Sequence, residues 1–555
     1  MRKLLLIAAA FIVAAPAGAI PPLPPPPPPA PPPRLLLVIS VDQLAADLFD
    51  EYRPQFTGGL ARLAGGTVFR NGYQSHAATE TCPGHSTILT GARPARTGIV
   101  ANGWFDPSTP RTDKWIYCAE DESVPGTNST KYQVSPAHLR VPTLGDLLKR
   151  RSPTGLNVAV AGKDRAAVMM GGHTPDQRWY WDGKAFATDV ASANPPRSIA
   201  ATNAAVAQAL AAAAPPLEPS PFCAARSQVI PISGGGKPVG GGTFSRPAGD
   251  ATAFRASPQF DGATLALAAA LTRELGLGRD AAPDVLSIGL SAADYVGHTY
   301  GTGGQEMCLQ LLSLDRDLGD FFDRLDGWGL DYAVVLTADH GGLDIPERLR
   351  AKGVADAAWI DRELTPERLG RKVADSTRLT GPIIVSGGPS GDIYLDPALQ
   401  GADRTRARNA LLAAYRGHPQ VQAVFTKDEI ARTPLPAGAP DRWSVIQRVR
   451  ASFDAERSGD LYVVLKPHIQ PIADTSRYVA THGSPWDYDR RVPVIFWRRG
   501  MPATSREEPV ETADIMPTLA AMIGLPLAAG SVDGHCLSSV APCPSPGVAA
   551  QRGQR

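Results

Sequence analysis

Leu35 to Val41 is an almost unbroken run of apolar side chains. A run of this kind has no face to leave in water. It reads as a strand buried on both sides of a sheet. Asn157 to Ala161, Asp284 to Leu290 and Tyr332 to Thr337 read the same way, and helical patterns such as Val141 to Arg150 and Leu309 to Leu325 lie between them. Strands alternating with helices predict an α/β fold, with a doubly wound, largely parallel sheet and helices on both faces. Sheets of that kind bind ligands at the carboxyl ends of their strands, so the residues just after each apolar run are the ones to inspect.

The folded part is expected over residues 34–543. Arg2 and Lys3, the apolar stretch Leu4 to Ala15 and the small residues Ala17-Gly18-Ala19 form the pattern of a signal peptide, residues 1–19. The expected location is the periplasm or the exterior, with no membrane span once that segment is removed. Pro21 to Pro33 is nearly all proline and reads as a stiff spacer over residues 20–33. Insertions into the catalytic domain are expected near 100–280 and 345–475, and a flexible tail over 544–555. The run Gly234-Gly235-Gly236-Lys237-Pro238 has a lysine beside glycines but lacks the Gly-Lys-Ser/Thr order of a phosphate loop, so it reads as a surface loop.

Charge narrows the partners. Lys+Arg is 55 and Asp+Glu is 54, a net charge of +1, which leaves no basic footprint for nucleic acid. A small-molecule partner fits better. The 6 cysteines contain no C-x-x-C pair, which argues against a four-cysteine zinc site. In an exported chain an even number permits disulfides, and Cys536 with Cys543 is the pair nearest in sequence.

The chemistry-bearing residues stand where the fold places ligands. Asp42 follows the first apolar run, Asp294 and His298 follow the run ending at Leu290, Asp339 and His340 follow the run ending at Thr337, and His482 precedes Val492 to Trp497. Three carboxylates and three imidazoles suit zinc better than calcium or magnesium, which prefer oxygen alone. A second signal is Thr79-Glu80-Thr81-Cys82-Pro83-Gly84-His85-Ser86. Pro83 suits the first turn of a helix that runs to about Thr90 and is closed by Gly91. Thr81 then lies at a helix N-terminus, where free N–H groups and the dipole attract an anion such as phosphate.

Asp42, then Thr81 with Gly84-His85 after it, then Asp294-x-x-x-His298, then Asp339-His340, then His482 resembles the alkaline phosphatase superfamily. Within it the closest likeness is to the threonine-nucleophile branch of phosphate-irrepressible alkaline phosphatases and nucleotide pyrophosphatase/phosphodiesterases. The resemblance implies two Zn2+ per chain, one held by Asp294, His298 and His482, the other by Asp42, Asp339, His340 and the Thr81 hydroxyl. It implies attack on phosphorus by Thr81 through a phosphothreonine intermediate. Asn102 fits the position of an amide donor, and Lys163 and Arg165 fit the cations of the monoesterase subgroup. If Gly162 to Arg165 extended the preceding strand, Lys163 and Arg165 would share a side with Asp164 turned away. The expected activity is an alkaline phosphatase acting on phosphate monoesters. The alternatives are a nucleotide pyrophosphatase/phosphodiesterase on the same fold and a non-catalytic metal- or phosphate-binding protein. Cys82-Pro83 lacks the C-x-P-x-R spacing of a sulfatase.

Overall fold

The computed structural model describes residues 31–191 and 195–544. The signal-peptide pattern, most of the proline spacer and nearly all of the tail lie outside the described residues. The core is one large sheet of ten strands: β1 (Leu35–Val41), β2 (Thr67–Tyr73), β3 (Asn157–Ala161), β4 (Gln177–Trp181), β5 (Phe186–Ala187), β6 (Asp284–Leu290), β7 (Tyr332–Thr337), β8 (Arg491–Arg498), β9 (Thr504–Arg506) and β10 (Val510–Glu511). Their order across the sheet is β9-β2-β8-β7-β1-β6-β3-β4-β5, with β10 also paired to β2. All four expected apolar runs are adjacent here: β1 pairs in parallel with β6 and β7, and β3 pairs in parallel with β6. The α/β, largely parallel expectation holds. Only β5 and β8 run against their neighbours.

The side chains of β1 explain why the run is apolar throughout. Leu35, Leu37, Ile39 and Val41 enter one core, and Leu36 and Val38 enter the other. The period of two sends alternate residues to opposite faces, and helices cover both. Helices α1 (Thr81–Thr90) and α2 (Asp164–Gly171) contribute Ile88, Leu89 and Met170 to the second core, whereas α3 (Pro258–Leu275) and α5 (Gln305–Gly327) pack on the first. Between α3 and α5 in sequence runs α4 (Ala292–Tyr300). Burying each aliphatic side chain of this kind contributes about 1.5–3 kcal/mol, so the sheet is a rigid base for what sits at its edge.

The stretch 100–280 supplies β3, β4 and β5 to the central sheet as well as loops. Within 345–475 a separate antiparallel sheet forms from Ile384–Gly387, Gly391–Leu395, Val421–Thr426 and Leu461–Leu465. It has a core of its own that includes Ile393, Leu411 and Val463. Gly234 and Gly235 lie in an exposed surface turn, as expected. All six cysteines are paired, Cys536 with Cys543, Cys82 with Cys118 and Cys223 with Cys308. Among the described residues no helix is long and apolar enough to cross a membrane.

Candidate active site

Every expected acidic and histidine residue lies at one edge of the sheet. Asp42 directly follows β1, and its backbone N–H donates to Leu290 at the end of β6. Asp294 is in the first turn of α4, with His298 one turn on, and Asp339 and His340 follow β7. His482 comes from a loop that precedes β8. Because β8 is antiparallel to β7, its start lies at the edge where β7 ends. Ser484, in the same loop, donates through its amide and its hydroxyl to Asp489, and Thr79 donates its hydroxyl to the Ser484 carbonyl at 2.8 Å. These bonds fasten the His482 loop to the segment that carries Thr81.

The imidazoles are oriented by one device. Nδ1 of His298 lies 2.7 Å from the Ala480 carbonyl, Nδ1 of His340 2.8 Å from the Gly341 carbonyl, and Nδ1 of His482 2.7 Å from the Thr79 carbonyl. A carbonyl only accepts, so each Nδ1 carries the proton and each Nε2 presents a lone pair, the form a metal ligand needs. Burial, then the nearby His482, holds His340 well below the usual histidine pKa and keeps it neutral.

The donor set fits a divalent cation. Asp294, His298 and His482 offer ligand atoms within 4.8 Å of one another, and so do Asp42, His85 and Asp339. Oδ1 of Asp42, Oδ1 of Asp294, Oδ2 of Asp339 and Nε2 of His340 are buried without a hydrogen-bond partner. Burial, followed by repulsion from Asp42, pushes Asp339 up to about 8. A buried carboxylate cluster of this kind calls for positive charge.

The second grouping contains a residue to which sequence reasoning assigned no role. His85 stands four residues after Thr81 on α1, one turn away on the same face, and that spacing was the available signal. Its Nδ1 contacts the Thr81 carbonyl at 2.9 Å, and its ring lies 3.4 Å from both Asp42 Oδ1 and Asp339 Oδ2. Burial opposes a charge on this ring, but Asp339 and Asp42 carry its pKa upward. His340 also lies beside the set, its Nε2 3.2 Å from Asp339 Oδ2 and its ring stacked 3.5 Å from that of His482.

Thr81 is the first residue of α1, which ends at Thr90 and is closed by Gly91 in the left-handed conformation at φ 65, as the motif predicts. A side chain at Gly84 would come within 2.0 Å of the Asp339 carbonyl oxygen, so glycine is what lets α1 approach that strand end. Asn102 accepts from the Cys82 amide at 2.8 Å and donates its own amide to Glu80 at 2.7 Å, leaving its side-chain NH2 as a donor beside Thr81. Cys118 is disulfide-linked to Cys82 and donates its amide to the Asn102 carbonyl at 3.1 Å, which holds this loop against α1.

Lys163 and Arg165 converge, but not along an extended strand. Lys163 is the residue before α2, and Asp164 and Arg165 begin the helix. The chain turns there because Asp164 is held by the hydroxyls of Tyr117 at 2.7 Å and Tyr132 at 2.8 Å. Arg165 Nη2 donates to Thr81 Oγ1 at 3.4 Å. Lys163 Nζ lies 3.0 Å from Asp42 Oδ2 and 2.5 Å from Asp294 Oδ2, between the two ligand groups. Burial works against both cations, but Asp294 and Asp42 hold the Lys163 pKa above its ordinary value.

The comparisons agree with this geometry. Residues 36–485 match the profile of the type I phosphodiesterase / nucleotide pyrophosphatase family. The chain is 53% identical over 507 residues to alkaline phosphatase PhoK of Sphingomonas sp, covering 91% of this chain and 90% of that protein. It is 45% identical to alkaline phosphatase PhoD of Zymomonas mobilis subsp. mobilis, covering 90% and 87%. The crystal structure of wild-type alkaline phosphatase PafA superposes with a TM-score of 0.80 at 26% identity, covering 92% of this chain and 99% of that one. With the ordered Asp, Thr, Asp/His and His motifs gathered at one sheet edge, the chain belongs to the type I phosphodiesterase / nucleotide pyrophosphatase family, on an alkaline phosphatase-like fold.

Proposed function

We propose that the protein is an alkaline phosphatase that hydrolyses phosphate monoesters, with Thr81 as nucleophile. The observation that carries this reading is the contact between Arg165 and the Thr81 hydroxyl at the N-terminus of α1, with Lys163 and the two ligand groups around it. The relatives named alkaline phosphatases support it. The metal is zinc, with Asp294, His298 and His482 as one ligand set and Asp42, Asp339, His340 and Thr81 as the other. His85 contacts both Asp42 and Asp339 and acts by positioning them. When bound, the metals supply the positive charge that lowers the pKa of the Thr81 hydroxyl and offsets charge on the departing oxygen.

The protein's own groups do the rest. The Thr81 oxygen attacks phosphorus in line, the bond from phosphorus to the ester oxygen breaks, and the alcohol leaves with a proton from solvent. Arg165, Lys163 and the Asn102 side-chain amide face the non-bridging oxygens and hold the charge that builds there. Water then attacks the phosphothreonine, the phosphorus–Thr81 bond breaks, and the hydroxyl is restored. Two cations facing those oxygens suit a dianionic monoester better than a diester, whose second organic group needs the same space.

Exhaustive chelation is expected to abolish phosphate release from a monoester, and added zinc to restore it. Metal analysis of the active protein should find about two ions per chain. Full activity with less than one bound ion would overturn the assignment.

The export signal is part of the proposal. The pattern of residues 1–19 and the pairing of all six cysteines support an oxidising destination, the periplasm or beyond. N-terminal sequencing of the functional protein should begin near Ile20, and Met1 retained on the functional protein would contradict it.

A further inference from the structure

Two cavities that share no residue reach the neighbourhood of Thr81, one through Arg165, which contacts its hydroxyl, the other through its chain neighbour Glu80, and their charges are opposite. One, of about 440 Å³, is lined by Lys131, Lys163, Arg165 and Arg255. Its two carboxylates are already engaged, Asp164 by Tyr117 and Tyr132, and Asp182 by the Lys184 and Ala185 amides. The other, of about 330 Å³, is lined by Glu80, Trp115, Asp392, Tyr394, Tyr462 and His482, and none of the described residues that line it is a lysine or arginine. Glu80 Oε2 accepts from the Asn102 amide and Asp392 Oδ1 from the Gly459 amide. The remaining oxygen of each takes no hydrogen bond from the described residues. Lys427, whose charge is felt at Asp392, donates to the Ser458 carbonyl and does not line the cavity.

In-line displacement puts the nucleophile and the departing alcohol on opposite sides of phosphorus. The phosphoryl oxygens belong with Lys163 and Arg165, at the basic cavity. The alcohol is left the other one, which opens beside Thr81 through Glu80 and His482. From this charge division we infer that the second cavity is a leaving-group subsite selecting phosphate monoesters of cationic, amine-bearing alcohols and rejecting those of anionic alcohols. Three aromatic rings and two carboxylates are the surroundings that recognise an ammonium group. The cavity lies within the size range of small-molecule sites, roughly 300–1,000 Å³. A substrate with an ammonium at one end and a phosphate dianion at the other then lies along the field between the two cavities, and an anionic alcohol lies against it. The inference rests on the phosphomonoesterase reading above.

The test compares two monoesters of similar size and opposite leaving-group charge, phosphoethanolamine and phosphoglycolate. Taking the ratio of their kcat/KM values in each variant relative to wild type cancels their intrinsic reactivities. The assay is run at about pH 9, where Asp392, pushed up to about 7 by burial, is ionised. Asp392→Asn should lower the phosphoethanolamine preference about tenfold, the size expected from losing one opposite charge at a partly buried site. Ser390→Lys, on the glycine-bearing loop that rims the cavity, should shift the ratio the same way without removing a buried group. If Asp392→Asn does not fold, the Ser390→Lys result decides. An unchanged ratio in the variants that fold overturns the subsite. Ethyl phosphate, whose leaving group is neutral, separates the two levels: if the wild type releases no phosphate from it or from either charged ester, the phosphatase reading fails first.

Discussion

Thr81→Ala is expected to lower phosphate release by on the order of 10⁴-fold or more, the scale seen when an enzyme loses its nucleophile. The protein should remain folded and should keep its metals. The Thr81 side chain makes one weak hydrogen bond, from Arg165 at 3.4 Å, and the ligand groups that surround it keep their own supports. His85 contacts the Thr81 carbonyl, which alanine retains. Thr81→Ser preserves the hydroxyl and should recover a substantial part of the rate. Thr79 is the control. Its hydroxyl is committed to the Ser484 carbonyl and its own carbonyl to His482, so Thr79→Ala should act through the placement of the His482 loop and weaken metal retention. Rates measured beside bound-metal content separate the two. A wild-type rate for Thr81→Ala would remove it as the nucleophile.

The double variant Lys163→Ala with Arg165→Ala is expected to move the monoester-to-diester preference toward diesters by well over about tenfold. A monoester carries one more negative charge on its non-bridging oxygens. Losing a charge-assisted contact in a site that excludes water costs about 2–4 kcal/mol, or about 10²-fold in rate. Diester turnover lacks that charge and should fall much less. The single variants are informative because the two cations are placed differently. Arg165 reaches the Thr81 hydroxyl itself, so its removal should act mainly on the monoester transition state. Lys163 also lies against Asp42 and Asp294, so its removal should disturb metal affinity as well. Equal losses on monoester and diester in the double variant would assign both residues a structural role.

Much of the site was legible because residues in consecutive βα connections end up side by side. An unbroken apolar run identifies a strand buried on both faces, and parallel pairing of four such runs brings Asp42, Asp294 and Asp339 to one edge without any further information. The α1 motif was legible for the same local reasons: proline in the first turn, glycine at the end, threonine at the start. Contacts between segments distant in sequence were not legible. Local spacing pointed to Lys163 and Arg165 converging along a strand, whereas the Tyr117 and Tyr132 hydroxyls take Asp164 and the chain turns into a helix there. His85 was visible as a letter in the motif, but its contact with two carboxylates exists only once β1 and β7 deliver Asp42 and Asp339 to either side of α1. The same holds for the disulfides. Cys536 and Cys543 are neighbours along the chain, but Cys82–Cys118 and Cys223–Cys308 join segments whose proximity is a product of packing. The sequence by itself determined the strands, the helix that begins at Thr81 and the acidic and histidine residues at the sheet edge, because these follow from side-chain period and local backbone preference. Only the tertiary structure decided which cation faces the Thr81 hydroxyl, which histidine faces the carboxylates and how charge divides between the two cavities, because those depend on distances between residues up to hundreds of positions apart.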